Sequence, residues 1–266
     1  MTLYRASAQD GIAWVTGAST GIGRQVALDL AREGYTVAAT ARGTDKLASL
    51  VTEAAQFGGR VLPFAGDVTD RDAMAQVVTA IETELGPIVL AVLSAGTYVP
   101  ARGDQLDPVT FVKTFETNVF GVFYSLVPLV ARMQLRDRGQ VAIVGSVTAY
   151  GGLPTAAAYG ASKAALNNMA ESLKFDFDRM NIRIQMINPG FVATPLTAKN
   201  KFVMPALMTV EDASVRILRG LRSGGFEVTF PRRFTYVLKL INLLPHWLYF
   251  PLMSRAMGWR KRPVRR

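Results

Sequence analysis

Short apolar runs alternate with longer amphipathic stretches along most of the chain. The apolar runs are hydrophobic at consecutive positions, which is typical of strands buried on both faces of a sheet. The stretches between them repeat their apolar residues at helical spacing. This pattern predicts strands over residues 12–16, 36–40, 60–64, 88–94, 140–146, 183–188 and 226–230. It predicts helices over residues 21–33, 45–56, 70–85, 108–136, 157–180 and 210–222.

A regular strand–helix alternation predicts an α/β fold with a mostly parallel sheet and helices on both faces. Because parallel crossovers are right-handed, the sheet is expected to be doubly wound, as in Rossmann-like folds. We find no linker or repeat within residues 1–231, which are predicted to form one domain. Residues 232–266 are predicted to form a helical C-terminal extension, apolar in its first part and basic at its end.

Composition excludes several kinds of site. The 266 residues contain no Cys and a single His, His246, so thiolate chemistry, His-based triads and multi-His metal sites are excluded. The absence of Cys suits a reducing compartment, and residues 1–10 lack the apolar stretch of a signal peptide. These features predict a cytoplasmic protein with no metal site.

The positive charge is concentrated in the extension. Residues 232–266 carry nine basic side chains and no acidic one, within a net charge of +10 for the whole chain. The remaining residues are therefore nearly neutral, which argues against nucleic-acid binding by the domain and indicates a specialised tail.

A glycine-rich turn joins the first predicted strand to the first predicted helix. Its glycines allow a tight backbone turn, and a helix N-terminus offers free N–H groups to phosphates. The turn therefore predicts a dinucleotide site, formed by Gly17, Ser19, Thr20, Gly21, Ile22 and Gly23.

Residues at three further strand ends are expected to border the same nucleotide. Arg42 follows the second strand, at a place where an acidic residue would repel a 2′-phosphate. An arginine there favours binding of NADP, and the alternative is a solvated surface arginine. Arg24 and Lys46 are expected to add to this positive field. Asp67, followed by Val68, is predicted to contact adenine, to cap the next helix, or both. The fourth strand ends in small residues that let the backbone lie under the nucleotide: Ser94, Ala95 and Gly96.

Tyr159 and Lys163 lie four residues apart in a predicted helix and so share one face. An ammonium beside a phenol favours the phenolate, which predicts a lowered pKa for Tyr159 and proton exchange near neutral pH. Ser146 lies upstream, at the end of a predicted strand.

Taken in order, these motifs resemble those of the short-chain dehydrogenase/reductase family over about residues 11–230. The turn 16–23 is similar to the family's cofactor motif, and Asn118, Ser146, Tyr159 and Lys163 are similar to its catalytic tetrad. The segment 189–194 resembles the one that closes over the nicotinamide, with Pro189, Gly190, Val192 and Thr194. Ser94 departs from the asparagine usual at that position.

The resemblance implies a role for each of these residues. Tyr159 would be the general acid or base, Lys163 would lower its pKa and hold the nicotinamide ribose, and Ser146 would bind the substrate oxygen. Asn118 would anchor a water that links Lys163 to solvent. Thr194 and the Val192 backbone would bind the carboxamide. The resemblance also implies a homo-oligomer, a dimer or a tetramer.

The substrate side is expected to be apolar. Residues 197–208 correspond to the family's substrate-covering loop and include Phe202, Val203, Met204, Leu207 and Met208. The opposite side is expected to contain Tyr98, Val99, Tyr150 and Leu153. Ordinary packing is the alternative reading of both sets.

The extension admits two interpretations. Its longest uncharged run, residues 240–254, is shorter than the roughly 20 residues that span a bilayer. Its aromatic residues and basic end suit a helix that lies at a membrane surface. The alternative is packing on the domain or on a second subunit. A nucleic-acid role is disfavoured because the aromatic residues lie in helical apolar runs.

The sequence thus predicts an NADP(H)-dependent oxidoreductase that interconverts a ketone or aldehyde and an alcohol. We expect a reductase of an apolar, lipid-like carbonyl substrate, with peripheral contact to the cytoplasmic membrane face. The alternative is a non-catalytic NADP-binding protein or a membrane-docked scaffold.

Overall fold

The computed structural model describes residues 3–200 and 202–259. Within these residues, one seven-stranded sheet forms the centre of the molecule. Its strands are β1 (Ile12–Thr16), β2 (Thr36–Thr40), β3 (Arg60–Pro63), β4 (Ile88–Leu93), β5 (Gly139–Val144), β6 (Ile182–Pro189) and β7 (Glu227–Phe230).

Helices follow the strands in the predicted alternation. They are α1 (Gly21–Arg32), α2 (Thr44–Ala54), α3 (Arg71–Glu84), α4 (Pro108–Phe115), α5 (Gly121–Leu135), α6 (Ala157–Arg179), α7 (Val210–Ser223), α8 (Arg232–Asn242) and α9 (His246–Ala256). A π-helical turn, Glu116–Phe120, joins α4 to α5, and short 3₁₀ turns occur at Val147–Ala149 and Thr197–Lys199.

The strand order is β3-β2-β1-β4-β5-β6-β7, and every pairing is parallel. The order reverses between β1 and β4, because the chain winds outward from β1 in both directions. A crevice opens at such a reversal, beyond the carboxyl ends of the strands. The predicted doubly wound α/β fold is therefore confirmed.

Successive residues of one strand pack into separate cores on the two faces of the sheet. In β1, Ala13 and Val15 join the core beneath α1, α2 and α7, while Ile12 and Trp14 join the core beneath α3, α5 and α6. This is why the central strands are apolar at consecutive positions.

The main departure from the predicted elements lies in the helix expected over residues 108–136. The structure divides it into α4, the π-helical turn and α5. The extra residue of a π turn shifts the helix face, and π turns often occur at functional sites. Asn118 lies in this turn.

By length and composition, the helical segment Pro108–Leu135 meets the criterion for a membrane span, as core helices of water-soluble proteins also do. Its inner face packs in the core through Leu126, Leu129 and Met133, which are almost fully buried. Its outer face exposes apolar side chains.

Within the described residues, the predicted helical extension is present as α8 and α9, which meet at a bend before Pro245. Its predicted basic end, residues 260–266, lies outside the described residues. Thr235, Tyr249 and Met253 are buried against the rest of the molecule. The Tyr249 hydroxyl donates to the Gly152 carbonyl at 2.8 Å. One side of the extension is therefore packed against the loop that follows β5.

Candidate active site

A cleft of about 580 Å³ opens at the reversal of strand order. Its wall contains all the residues predicted to bind a nucleotide, together with Ser146. They are Gly17, Ser19, Thr20, Gly21, Ile22, Gly23, Arg42, Asp67, Val68, Ser94, Ala95, Gly96, Tyr159, Lys163, Pro189, Gly190, Val192 and Thr194.

The glycine-rich turn is built for close backbone contact. Gly17 has a φ of +68°, and a Cβ there would lie 2.7 Å from the Ala95 backbone. A Cβ on Gly23 would lie 2.5 Å from the Gly17 carbonyl oxygen. Within the described residues, the Thr20 side chain makes no capping bond, so the first N–H groups of α1 are available to an anion. The turn therefore fits the pyrophosphate of a dinucleotide.

The basic side chains near the end of β2 differ in their surroundings. Arg42 lines the cleft, is 78% exposed at its side chain and lies 3.8 Å from Asp67 through Nη1 and Oδ2. Lys46 also lines the cleft. Arg24 instead pairs with Glu53 at 2.8 Å, so the positive field expected of it is partly neutralised.

Asp67 does not cap α3. Its Oδ1 accepts from the backbone N–H and the hydroxyl of Thr69, at 3.0 and 2.9 Å. The cap is Asp70, whose Oδ1 accepts from Asp72 N and Ala73 N, each at 2.9 Å. The capping alternative for Asp67 was therefore wrong because α3 begins at Arg71, one turn later than Asp67 would require.

The catalytic candidates meet on one wall of the cleft. Lys163 Nζ lies 5.7 Å from the centre of the Tyr159 ring and donates to the Val144 carbonyl at 2.7 Å. Ser146 follows β5 and lines the same wall as Tyr159, near enough to its hydroxyl to lower the Tyr159 pKa. Ser146 Oγ also accepts from Thr148 N at 3.2 Å. Helix α6 and strand β5 thus bring the three side chains together.

The direction of the Tyr159 pKa contradicts the sequence prediction. Burial raises the pKa of Tyr159 to about 12; the Ser146 hydrogen bond offsets part of this rise and Tyr98 adds to it. Burial also lowers the pKa of Lys163 to about 8. The cost of burying a phenolate therefore exceeds the benefit expected from Lys163, and Tyr159 is a protonated acid at neutral pH.

Asn118 is fully buried behind the cleft and ties two of its walls together. Its Nδ2 donates to Thr97 O at 3.0 Å and to Ser162 Oγ at 2.9 Å, while its Oδ1 accepts from Thr97 N at 2.7 Å. These bonds use both amide hydrogens. The side chain thus joins the segment after β4 to α6, a positioning role that the resemblance did not indicate.

Thr197 was missed by the sequence analysis. Its hydroxyl donates to Val192 O at 2.5 Å and accepts from Thr194 N at 3.0 Å, so it fixes the segment expected to lie over the nicotinamide. A Thr three residues after Thr194, at the start of a short helical turn, was the available signal.

A second pocket of about 80 Å³ adjoins Ser146 and Tyr159. Tyr98, Leu153 and Phe202 line it as predicted. Tyr150 and Val99 lie elsewhere: Tyr150 donates to Glu227, and Val99 is 43% exposed at the surface. Four residues expected in the covering loop are also absent from the wall of this pocket: Val203, Met204, Leu207 and Met208.

Met257, which follows α9, completes the wall of this pocket. The C-terminal extension therefore forms part of the pocket that Ser146 and Tyr159 also line. No sequence pattern relates residue 257 to residue 159, since the contact depends on how the extension folds back.

Comparison with known proteins agrees with this geometry. The family model described as short chain dehydrogenase matches residues 11–202, a span that includes every residue lining the cleft. An uncharacterized oxidoreductase of Myxococcus xanthus is 38% identical over 237 residues, or 89% of this chain and 94% of that protein.

Two further relatives show the same similarity. The 3-oxoacyl-acyl-carrier-protein reductase of Thermotoga maritima is 34% identical over 185 residues, which cover 70% of this chain and 75% of the reductase. The crystal structure of a short-chain type dehydrogenase/reductase from Mycobacterium marinum superposes with a TM-score of 0.75 at 27% identity, covering 82% of this chain and 92% of that chain.

The lowered pKa of Lys163 predicts a specific pH dependence of stability. Between about pH 8 and the unfolded lysine pKa of about 10.4, the unfolded chain binds a proton that the folded chain does not. The unfolding free energy of the wild type, minus that of Lys163→Met, should therefore rise through this window by at most about 3 kcal/mol. Below pH 8 the difference should be constant.

Urea unfolding of the ligand-free protein at several pH values measures this difference. Lys174→Met is the control, since Lys174 is 36% exposed at its side chain and lies on the same helix. A difference for Lys163→Met that stays flat from pH 7 to pH 10 would show that the Lys163 pKa is not lowered.

Proposed function

The chain belongs to the short-chain dehydrogenase/reductase family, and on this premise we propose that it reduces the carbonyl group of an apolar substrate with NADPH. One observation carries the proposal. The Tyr159, Ser146 and Lys163 side chains meet where the nucleotide-shaped cleft joins the second pocket. A carbonyl held in that pocket would have an acid and a hydroxyl donor on one side, and the cleft on the other.

The protein residues supply the proton and the oxygen-binding groups. Bound in the cleft, the nicotinamide cofactor supplies the hydride that adds to the carbonyl carbon. Ser146 hydrogen-bonds the carbonyl oxygen and stabilises the negative charge that develops there. Tyr159 donates its hydroxyl proton to that oxygen, which yields the alcohol.

The two shifted pKa values favour this direction. Tyr159, with a pKa of about 12, is fully protonated at neutral pH and is ready to act as the acid. After donation, the phenolate lies beside Lys163, whose pKa of about 8 makes it the stronger acid of the two. Lys163 therefore returns the proton, and solvent replenishes Lys163.

NADP rather than NAD is the proposed cofactor. Arg42 lines the cleft beyond β2, and Lys46 lines it nearby. The pairing of Arg42 with Asp67 is long and solvent-exposed, so it holds Arg42 weakly. A guanidinium in this setting is free to bind a 2′-phosphate, whereas the ribose hydroxyl of NAD offers it no charge.

The pocket indicates a mainly apolar substrate that carries a second polar group. Its lining is largely apolar and includes Leu153, Phe191 and Phe202. Among the described residues, Thr148 Oγ1 and Asn200 Oδ1 are buried without a hydrogen-bond partner, and both residues line the pocket. A hydroxyl or amide of the substrate would satisfy them. The 3-oxoacyl-acyl-carrier-protein reductase relative also supports an acyl-chain carbonyl.

The outer side of the extension is proposed to dock on an anionic membrane surface. Four large apolar side chains around the bend between α8 and α9 are exposed, with exposures of 65%, 81%, 73% and 61% for Leu240, Leu243, Trp247 and Phe250. Residues 232–266 contain no Asp or Glu. The combination suits a helix pair lying in the headgroup region, with the substrate pocket close by through Met257. The protein would then be peripheral on the cytoplasmic face.

A homodimer is proposed through the outer face of α4 and α5. This face presents a helical stripe of exposed apolar side chains, with Phe175 of α6 also exposed. Single exposed apolar residues are common on protein surfaces, but a continuous stripe of them is typical of an interaction site. In a dimer with a two-fold axis, the stripe of one subunit would pack against the same stripe of the other. Its members are Val109, Val112, Phe120, Phe123 and Val127.

Tyr159→Phe should lower kcat for carbonyl reduction by about 10²- to 10⁴-fold, because it removes the acid while keeping the ring. NADPH absorbance across carbonyls graded by chain length measures this loss. Tyr35→Phe, which removes a buried hydroxyl far from the cleft, should leave kcat unchanged. If the wild type binds NADPH tightly but reduces none of these carbonyls, the protein is a non-catalytic nucleotide-binding protein and the proposal fails.

Arg42→Asp should weaken NADPH binding by about 10- to 100-fold, the effect of losing a hydrogen bond to a charged group, and should spare NADH. Fluorescence titration gives both dissociation constants. Arg71→Asp is the matched control, since its side chain is similarly exposed at 75%. An unchanged ratio of the two constants would remove Arg42 from the cofactor site.

The double variant Leu243→Glu, Trp247→Glu should lose sedimentation with vesicles containing phosphatidylglycerol, because it places acids among the exposed apolar side chains of α8 and α9. Vesicles of phosphatidylcholine alone should bind the wild type more weakly. Val215→Glu, at an exposed site on α7, is the control. Retained vesicle binding by the double variant would reject the membrane surface as the partner.

Phe123→Glu should convert a dimer into a monomer, measured by light scattering after gel filtration, because it places a charge in the apolar stripe of α5. A wild type that is already monomeric would reject the dimer, and a variant that remains dimeric would place its interface elsewhere.

A further inference from the structure

A chain of polar contacts connects the extension to the candidate catalytic serine. Lys239 on α8 pairs through Nζ with Glu227 Oε2 on β7. Glu227 Oε1 accepts from Asn188 Nδ2 at 2.9 Å, and Asn188 Oδ1 accepts from the Ser146 backbone N–H at 3.0 Å. The three contacts join α8 to Ser146 through two strands of the sheet.

The middle of this chain is buried and tightly fitted. Asn188 is 1% exposed, and its backbone carbonyl accepts from Thr229 Oγ1 at 3.0 Å. A Cβ on Gly145 would lie 2.3 Å from Asn188 Oδ1, so only glycine allows this approach. The Asn188 amide therefore has little freedom except to exchange its oxygen and nitrogen by rotation.

The charge of Glu227 decides which way that amide points. An ionised carboxylate only accepts hydrogen bonds, so it holds Asn188 Nδ2 towards itself and leaves Oδ1 for the Ser146 N–H. A protonated Glu227 can instead donate a hydrogen bond to the Asn188 amide oxygen, which would allow the amide to turn. The turned amide would point its N–H at the Ser146 N–H, and two donors cannot form a hydrogen bond. Ionisation of Glu227 is therefore needed to hold Ser146 in place.

Lys239 is the cation that keeps Glu227 ionised. The groups facing Glu227 are Lys239 from α8, Tyr150 from the loop after β5, and Asn188 from β6. Burial raises the pKa of Glu227, but the bonds from these three groups together lower it below its usual value. Lys239 Nζ also lies 4.9 Å from the centre of the Tyr150 ring.

The extension holds the same loop at two other points. A Cβ on Gly151 would lie 2.0 Å from Asn242 Oδ1, so the end of α8 packs directly on the loop backbone. The bond from Tyr249 to Gly152 adds a contact from α9. Residues 146–152 are thus held from β6, α8 and α9.

We propose that the C-terminal extension positions the catalytic serine, with Lys239 and Glu227 acting through Asn188 as positioning residues for Ser146. The proposal rests on the proposed function in so far as Ser146 binds the substrate oxygen. It assigns to the extension an effect on the chemical step, besides its contact with the substrate pocket and its surface role.

Lys239→Met is the central variant. It should lower kcat by about tenfold or more, since small displacements of a reacting group cost up to about 10²-fold, and leave the KM for NADPH unchanged. In the pH profile of this variant, the fall of kcat at low pH (the acid limb) should move to higher pH, because Glu227 without its cation takes up a proton more readily. Lys239→Arg should restore both properties.

Two further variants separate positioning from a general effect on structure. Lys174→Met removes a lysine with the same 36% side-chain exposure and its own carboxylate partner, and should change neither kcat nor its pH profile. The double variant Lys239→Met, Glu227→Gln should lack the shifted acid limb, because no titrating group is left at that position.

Hydrogen–deuterium exchange supplies a readout that does not depend on turnover. Peptides covering residues 146–152 should exchange faster in Lys239→Met than in the wild type or Lys174→Met. If kcat, its pH profile and exchange in Lys239→Met all equal those of the wild type, the proposal is overturned. A kcat loss that Lys239→Arg does not rescue, with an unshifted pH profile, overturns it equally in favour of a structural role.

The exchange measurement also separates this inference from the proposed function. If the wild type reduces no carbonyl, the proposed function fails. The exchange of residues 146–152 can still be measured in that case, and unchanged exchange in Lys239→Met would show that Lys239 does not hold this loop.

Discussion

Removal of Tyr159 and Lys163 from water is the constraint on which the rest of the site depends. Lys163 is buried and Tyr159 is partly buried, and burial disfavours the charged form of each, so the phenol becomes a weaker acid and the ammonium a stronger one. Neighbouring groups offset part of this cost: the Val144 carbonyl accepts a hydrogen bond from Lys163, and Ser146 lowers the pKa of Tyr159. An acid that is reliably protonated, with a more readily deprotonated cation beside it, suits proton donation to a substrate.

The sheet brings these groups together from distant parts of the chain. Ser146 comes from the end of β5, Asn188 from β6, and the glycine-rich turn from the end of β1. Parallel strands place their carboxyl ends on one edge, so the site forms there without any sequence segment containing it whole. The buried Asn118 amide joins the segment after β4 to α6, the helix that carries Tyr159 and Lys163.

The sequence predicted those parts of the molecule that depend on local pattern. Consecutive apolar residues located the strands because both sheet faces are covered, and the Gly17–Gly23 spacing located the cofactor turn because its geometry excludes a Cβ. The pKa direction at Tyr159 was wrong because burial is a property of the folded molecule. The Glu227 contacts and the position of Met257 were missed for the same reason, since they depend on how α8 and α9 return to the sheet. Cofactor choice, assembly and membrane contact stay predictions.

Met257 in the pocket wall has a consequence for how such proteins diverge. The candidate catalytic side chains Ser146, Tyr159 and Lys163 lie within 18 residues of one another, whereas Met257 of the adjoining pocket lies almost a hundred residues further along. A substitution at residue 257 can change the shape of this pocket, and so the molecules that enter it, without altering the candidate catalytic side chains. Two relatives with the same reaction centre can therefore differ at this wall of the pocket, and so in the molecules they accept.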